Sequence, residues 1–177
     1  LVTSEFTKQD IHETLGVPME KMIITYQAPF EKNNESRIMN HELVNEKFGI
    51  NKPCVLYVGA AYPHKNLENL IKAWQIFQEK YNDDYQLILV GKESYFYDRL
   101  RRHCEEQSDE AIPMKLGIAS LDTSSQVRND NIIFTGFVPD DELVELYKKA
   151  SLYVFPSLYE GFGLPPLEAQ KYNVPVV

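Results

Sequence analysis

The sequence predicts an α/β fold, a Rossmann-like parallel sheet with helices on both faces. Two observations carry this reading. Short apolar runs recur along the chain: "CVLYVG" (54–59), "YQLILVG" (85–91), "NIIFTGFV" (131–138), "SLYVFPS" (151–157) and "VPVV" (174–177). Such runs suit strands buried on both faces. Between them lie stretches with apolar residues at helical spacing, such as "NLENLIKAWQIFQEKY" (66–81). Strands that alternate with amphipathic helices need crossover connections, which set successive strands parallel.

Taken in order, residues 1–20 read as strand end, helix and stop. Thr3 or Ser4 caps "EFTKQDIHETL", and Gly16 with Pro18 ends it. "KMIITY" (21–26) follows as a strand, "QAPFEKNNES" (27–36) as a polar linker, and 38–48 as a short helix closed by Gly49 and Pro53. After the strand at 54–59, Leu67, Leu70, Ile71, Trp74, Phe77 and Tyr81 share one helical face, with Asn66 as its N-cap. A helix from about Ser94 to Cys104 follows the strand at 85–91. Asp140, Asp141 and Glu142 load the start of the helix that runs to about Lys149, where acidic groups complement the helix dipole. "LPPLEAQKY" supplies the helix before the fifth strand.

At 177 residues the chain suits one domain, or one domain plus a piece of another. It starts at Leu1 and stops inside an apolar run, so it reads as a fragment of a longer protein. Eighteen Lys and Arg against 26 Asp and Glu give a net charge of −8, with no basic run. Nucleic acid is therefore excluded as a partner, and an anionic ligand has to be held by a few aimed donors against a repelling field. No apolar run approaches bilayer length and no signal-peptide pattern is present, so no transmembrane segment and a cytoplasmic location are expected. Cys54 and Cys104 are too few and too far apart for a disulfide framework or a zinc site.

Residues 101–130 do not fit the alternation, because this architecture needs only a short connection there. The segment from Arg102 to Ser120 resembles translated palindromic repeat elements found inside bacterial reading frames. A polar insertion near 105–128, unrelated to the chemistry, is the expectation.

In open parallel sheets, ligands bind outside the carboxyl ends of the strands near the point where strand order switches. Two loops lie at such ends. The first, "GAAYPHKN" (59–66), begins at Gly59 and sets Lys65 just before a helix, where an ammonium and helix amides together suit an anion. The bland alternative is a solvated lysine. The second, "YEGFGLPPLEA" (159–169), places Pro165 and Pro166 in the first turn of a helix, where missing amide hydrogens cost nothing. Its free amides come from Phe162, Gly163 and Leu164, and Gly161 and Gly163 permit close approach, so the turn can cradle a diphosphate. Glu160 and Glu168 flank that turn and can accept from hydroxyls, which suggests sugar-like groups on either side of a phosphate. An acidic helix start favoured by the dipole explains the same spacing. Walker, GxGxxG, GxSxG, HExxH and Asp-x-Asp patterns are missing.

"LYVGAAYPHKNLENLIKAW", "GFVPDDELVELYKKASLYVFPSLYEGFGLPPLEA" and "VPVV" resemble, in order and spacing, the nucleotide-binding C-terminal domain of retaining GT-B glycosyltransferases of family 4. "VTSEF" and its helix resemble the end of that family's N-terminal domain. The resemblance implies a remnant of that domain at 1–35 and the donor-binding domain, the C-terminal half of a GT-B fold, at 36–177. It implies transfer of a mannose- or glucose-type sugar from a nucleoside diphosphate sugar to a glycan or lipid-linked acceptor in polysaccharide synthesis for the cell envelope. No metal or other cofactor is expected. Lys65 and Glu160 would be catalytic, the first on the donor diphosphate and the second on sugar hydroxyls. Phe162, Gly163 and Leu164 would give amides to the diphosphate, Gly59 would bind substrate, Glu168 would take the ribose hydroxyls, and the backbone of Phe137 and Val138 would meet the base.

Some positions depart from the family pattern: Ala60 and His64 stand where members carry Arg, which leaves Lys65 as the one permanent cation of its loop. Asn173 replaces a glycine, Asn being the next residue to tolerate a left-handed cap. The acceptor would enter through the N-terminal domain, so the fragment alone is expected to bind donor weakly and transfer nothing. The full-length protein would be able to sit peripherally at the inner membrane face. Alternatives are a non-catalytic nucleotide-sugar-binding module and a nucleotide-sugar epimerase of the same fold. Deleting Ser108 to Gln126 is expected to leave the domain folded, and loss of the cooperative thermal transition would overturn the insertion reading.

Overall fold

The computed structural model describes residues 1–29, 41–81, 84–109 and 131–177. Four strands, β1 (Cys54–Val58), β2 (Gln86–Val90), β3 (Ile132–Gly136) and β4 (Ala150–Tyr153), form a parallel sheet in the order β3-β2-β1-β4. The expected fifth strand narrows to a bridge between Val176 and Tyr153, carried by Tyr153 N–H to Pro175 O at 2.8 Å and Val177 N–H to Tyr153 O at 3.0 Å. It lies beyond β4, so the sheet extends outward in both directions from β1.

The helices are α1 (Glu5–Leu15), α2 (His41–Phe48), α3 (Leu67–Tyr81), α4 (Tyr95–Asp109), α5 (Asp140–Lys149) and α6 (Leu164–Lys171), with 3-10 turns at Met19–Lys21 and Pro63–Lys65. Local chemistry sets their ends. The Ser4 hydroxyl accepts from Thr7 N–H at 3.1 Å and caps α1, and Gly16 closes that helix in the left-handed region at φ 68°. The expected "KMIITY" strand contributes only Ile24, bridged in parallel to Val2. Asn66 differs from its expected role. At φ 61° it is left-handed, not extended as an N-cap, because the 3-10 turn before α3 has to be redirected there. The boundary expected at 35 and residues 110–128 of the expected insertion lie outside the described residues, and α4 runs five residues past its expected end at Cys104.

Alternation of side chains across the sheet builds two cores. On one face Cys54, Leu56, Ile88, Val90 and Tyr153 pack with Val44 and Phe48 of α2, Leu146 and Tyr147 of α5, and Ala169 of α6. On the other Tyr57, Leu87 and Leu89 pack with Leu67, Ile71 and Trp74 of α3 and Tyr97, Leu100 and Cys104 of α4. Helices therefore cover both faces, as the unbroken apolar strands require. Burial of a side chain such as Leu56 or Ile88 contributes about 1.5–3 kcal/mol each. The helical face anticipated for α3 is the buried one except at its last residue, where Tyr81 stands 47% exposed.

Gln86 resolves a polar problem at the foot of β2. Its carboxamide accepts from Asn51 and Lys52 N–H at 2.9 and 3.0 Å and donates to Gly49 O at 3.2 Å, so a buried amide fastens the segment that leads into β1. At the opposite end, a Cβ on Gly91 would collide with the Gly59 carbonyl oxygen and the Tyr97 hydroxyl. Only a bare backbone lets the ends of β1 and β2 approach so closely. Gly91→Ala is expected to destabilise the chain by about 1–3 kcal/mol by forcing the loop after β1 aside; an unchanged denaturant midpoint would show that the loop yields freely.

Candidate functional site

Strand order reverses at β1, whose neighbours are β2 on one edge and β4 on the other. In open parallel sheets the carboxyl edge at such a reversal is the ordinary place for a ligand-binding crevice. Both sequence-derived loops border it. The loop after β1 reaches α3 through the 3-10 turn Pro63–Lys65, and the loop after β4 reaches α6 at Leu164.

Three bonds stitch these loops together. Leu158 N–H donates to His64 O at 2.8 Å, and the Asn66 carboxamide donates to Pro156 O at 3.1 Å. Between them the Lys65 ammonium pairs with the Glu160 carboxylate, the two side chains only 18% and 23% exposed. The structure thus brings together the two residues expected to be catalytic, although 95 positions separate them. Lys65 sits in the turn ahead of α3 and not in the helix itself.

Gly163 is the N-cap of α6 at φ 88°, a conformation that favours glycine, and its missing side chain leaves room for the Phe155 ring. The amides of Phe162, Gly163 and Leu164 have no acceptor among the described residues. Pro165 and Pro166 follow in the first turn of α6, so the donors at this helix end are the ones anticipated.

Glu168 receives a hydrogen bond from the Tyr147 hydroxyl at 2.8 Å through one of its oxygens. Burial raises the pKa of Tyr153, its hydrogen bond to the Val58 carbonyl works against that, and the charges of Tyr57, Glu168 and Glu160 raise it further. Gly59 accepts from Tyr97 Oη at 2.8 Å through its carbonyl. Phe137 is 72% exposed, whereas the Val138 side chain is buried in the core, so Val138 can offer a ligand only its backbone. Among the described residues no three His, Cys, Asp or Glu side chains gather as a metal site, and no helix is long and apolar enough to cross a membrane.

Spacing could not find several participants. Thr3, Ser4 and Thr7 all reach the Gly161 carbonyl, and the Tyr159 hydroxyl donates to Asp10 at 2.6 Å, across more than 140 positions of sequence. Tyrosine abundance was the one visible signal. Eleven tyrosines are present, and the hydroxyls of Tyr57, Tyr97 and Tyr153 end on the carbonyls of Ala60, Gly59 and Val58.

Fold and site together define a Rossmann-like domain whose crevice opens at the switch point, with a lysine–glutamate pair between its two loops. A family model described as glycosyl transferases group 1 matches residues 40–177, and the chain belongs to that family. It is 30% identical over 178 residues to O-antigen chain mannosyltransferase B of Escherichia coli, which covers 100% of this chain and 42% of that protein. To O-antigen chain mannosyltransferase RfbU of Salmonella typhimurium it is 30% identical over 177 residues, 100% of this chain and 40% of the relative. Of solved structures, WaaG, a glycosyltransferase involved in lipopolysaccharide biosynthesis, matches with a TM-score of 0.68 at 21% identity over 99% of this chain and 42% of that one. Anabaena Alr3699/HepE in complex with UDP and glucose matches with a TM-score of 0.70 at 19% identity, over the same shares. At such identities the structural likeness is one of fold, and that fold is GT-B. The chain spans about two fifths of the length of these two curated relatives.

Buried hydroxyls near the carboxyl edge of the sheet and a buried thiol at the opposite end of β1 make stability sensitive to alkali. Burial pushes the Cys54 thiol up from 9.0 to about 11 against the opposing charge of Lys149, and it raises Tyr57, Tyr97, Tyr147 and Tyr153 above their ordinary value of 10.0. Above pH 9 the unfolded chain releases these protons while the folded chain keeps them. The unfolded state then binds fewer protons, so stability falls as pH rises. Denaturant midpoints are expected to decline from about pH 9 upward, and the last step of tyrosinate absorbance, that of the four buried hydroxyls, is expected to coincide with unfolding. Denaturant midpoints that stay constant between about pH 9 and pH 11 would contradict the burial argument.

Proposed function

We propose that the chain is the donor-binding part of a retaining glycosyltransferase that moves a mannose- or glucose-type sugar from a nucleoside diphosphate sugar to a glycan or lipid-linked acceptor in polysaccharide biosynthesis. The observation that carries this reading is the Lys65–Glu160 pair beside the unpartnered amides of Phe162, Gly163 and Leu164. Two relatives that match the whole chain are named as O-antigen chain mannosyltransferases, which supports the mannose type.

Transfer builds oxocarbenium character on the sugar carbon as its bond to the diphosphate breaks, and negative charge grows on the departing phosphate. Lys65 and the amides of the 162–164 turn oppose that charge as preorganised donors. Glu160 accepts from sugar hydroxyls near the reacting carbon. Glu168 offers ribose hydroxyls the oxygen that Tyr147 does not hold, and the backbone at Phe137 and Val138 meets the base. Bound donor thus replaces each member of the resting ion pair with a partner of its own: diphosphate for Lys65, hydroxyls for Glu160. The acceptor enters through a further N-terminal domain, on the cytoplasmic side of the membrane. No metal has a role in this reading.

Lys65→Ala and Glu160→Ala in the intact enzyme are each expected to lower transfer about a hundredfold or more, the loss typical of one preorganised contact to developing charge. Near-normal turnover by either variant would defeat the assignment.

A further inference from the structure

Three hydroxyls converge on one backbone oxygen beside the crevice. Ser4 Oγ donates to the Gly161 carbonyl at 2.6 Å, Thr7 Oγ1 at 3.1 Å and Thr3 Oγ1 at 3.3 Å, while Ser4 and Thr7 hydroxyls lie 3.0 Å apart. Residues on either side of Gly161 are held by the same N-terminal segment. The Tyr159 hydroxyl donates to Asp10, its ring meets Phe6 at 5.3 Å edge-on, and the Phe162 ring lies 6.2 Å from Tyr26. Glu160, between these anchored neighbours, pairs with Lys65 instead.

The geometry of one peptide unit turns this anchorage into a function. The bond between Gly161 and Phe162 is trans, as are all peptide bonds among the described residues, so its C=O and N–H point in opposite directions within one plane. Hydroxyls that fix the carbonyl toward α1 also fix the Phe162 N–H away from α1. That N–H is the first of the amides without an acceptor among the described residues. We propose that Ser4, supported by Thr3 and Thr7, is a positioning residue: by gripping the Gly161 carbonyl it aims the Phe162 N–H into the crevice for the diphosphate of the donor. The inference rests on the reading of the crevice as a nucleoside diphosphate site. It makes the N-terminal segment a working part of the donor site.

Ser4 also caps α1, so the test has to separate two roles. Ser4→Asp keeps an N-cap acceptor but has no proton to give and sets a carboxylate against the carbonyl. Ser4→Thr keeps both functions. The hydroxyl cluster is exposed, so its loss should alter direction more than stability. Ser4→Asp is expected to retain the thermal transition of the unsubstituted chain, to weaken binding of GDP and UDP in titration calorimetry about tenfold, and to shift the amide resonance of Phe162. Ser4→Thr is expected to restore both readouts. Thr3→Val with Thr7→Val removes two donors without touching the cap and should move both readouts in the same direction, so a misfolded Ser4→Asp would not shield the proposal.

Unchanged nucleotide affinity or an unmoved Phe162 resonance in the folded variants overturns it. If the unsubstituted chain binds neither GDP nor UDP, the donor-site reading fails on its own account. The Phe162 resonance then decides alone whether the hydroxyls set this peptide: a shift supports the grip, and none overturns it.

Discussion

The site depends on the reversal of strand order at β1. A parallel sheet with right-handed crossovers sends helices to one face while strands are added in one direction, and to the other once the direction changes. Here α3 and α4 follow β1 and β2 on one face, and α5 and α6 flank β4 on the other. The loops that leave β1 and β4 therefore lead to helices on opposite faces, and between them at the carboxyl edge Lys65 and Glu160 meet. Even the glycine after β2 serves this arrangement, because a side chain at Gly91 would occupy the space of the Gly59 carbonyl.

Around that edge the chain spends polar groups on holding loop backbone. Tyr57, Tyr97 and Tyr153 grow from the sheet and from α4, and each ends on a carbonyl at the end of β1 or the start of its loop. Buried hydroxyls need partners, and loop carbonyls at a strand end have none within the sheet. The exchange satisfies both and leaves the crevice walls stiff. Tyr147 does the same for Glu168, orienting one carboxylate oxygen and leaving the other open.

The sheet was legible in the sequence because burial on both faces leaves an unmistakable pattern, five apolar runs that each correspond to a strand or a bridge. Helix ends were legible where one residue decides them, as at Ser4 and Gly16. Asn66 was misread because an asparagine before an apolar helix serves equally as an extended cap or a left-handed hinge; the 3-10 turn that selects the hinge has no signature of its own. At the site, Pro165 and Pro166 pointed to the free amides by exclusion, a strictly local inference. The pairing of Lys65 with Glu160 was not legible in the sequence; the structure explains it, since both follow carboxyl ends of strands that prove to be neighbours. The grip of Thr3, Ser4 and Thr7 on Gly161 joins segments that share no strand pairing, and no periodicity records it.

In the proposed reading, charge explains why the resting pair matters to recognition. The chain carries a net charge of −8, so its general field opposes an anionic donor. Lys65 is already matched by Glu160, and an inorganic phosphate that captured the lysine would leave a partly buried carboxylate without its partner. Such a carboxylate is costly unless hydroxyls or water satisfy it. A ligand with a diphosphate and a sugar joined at the correct distance avoids that penalty, because it supplies an anion to Lys65 and donors to Glu160 in one step. In the proposed reading, the resting ion pair therefore discriminates for the intact donor over its phosphate alone.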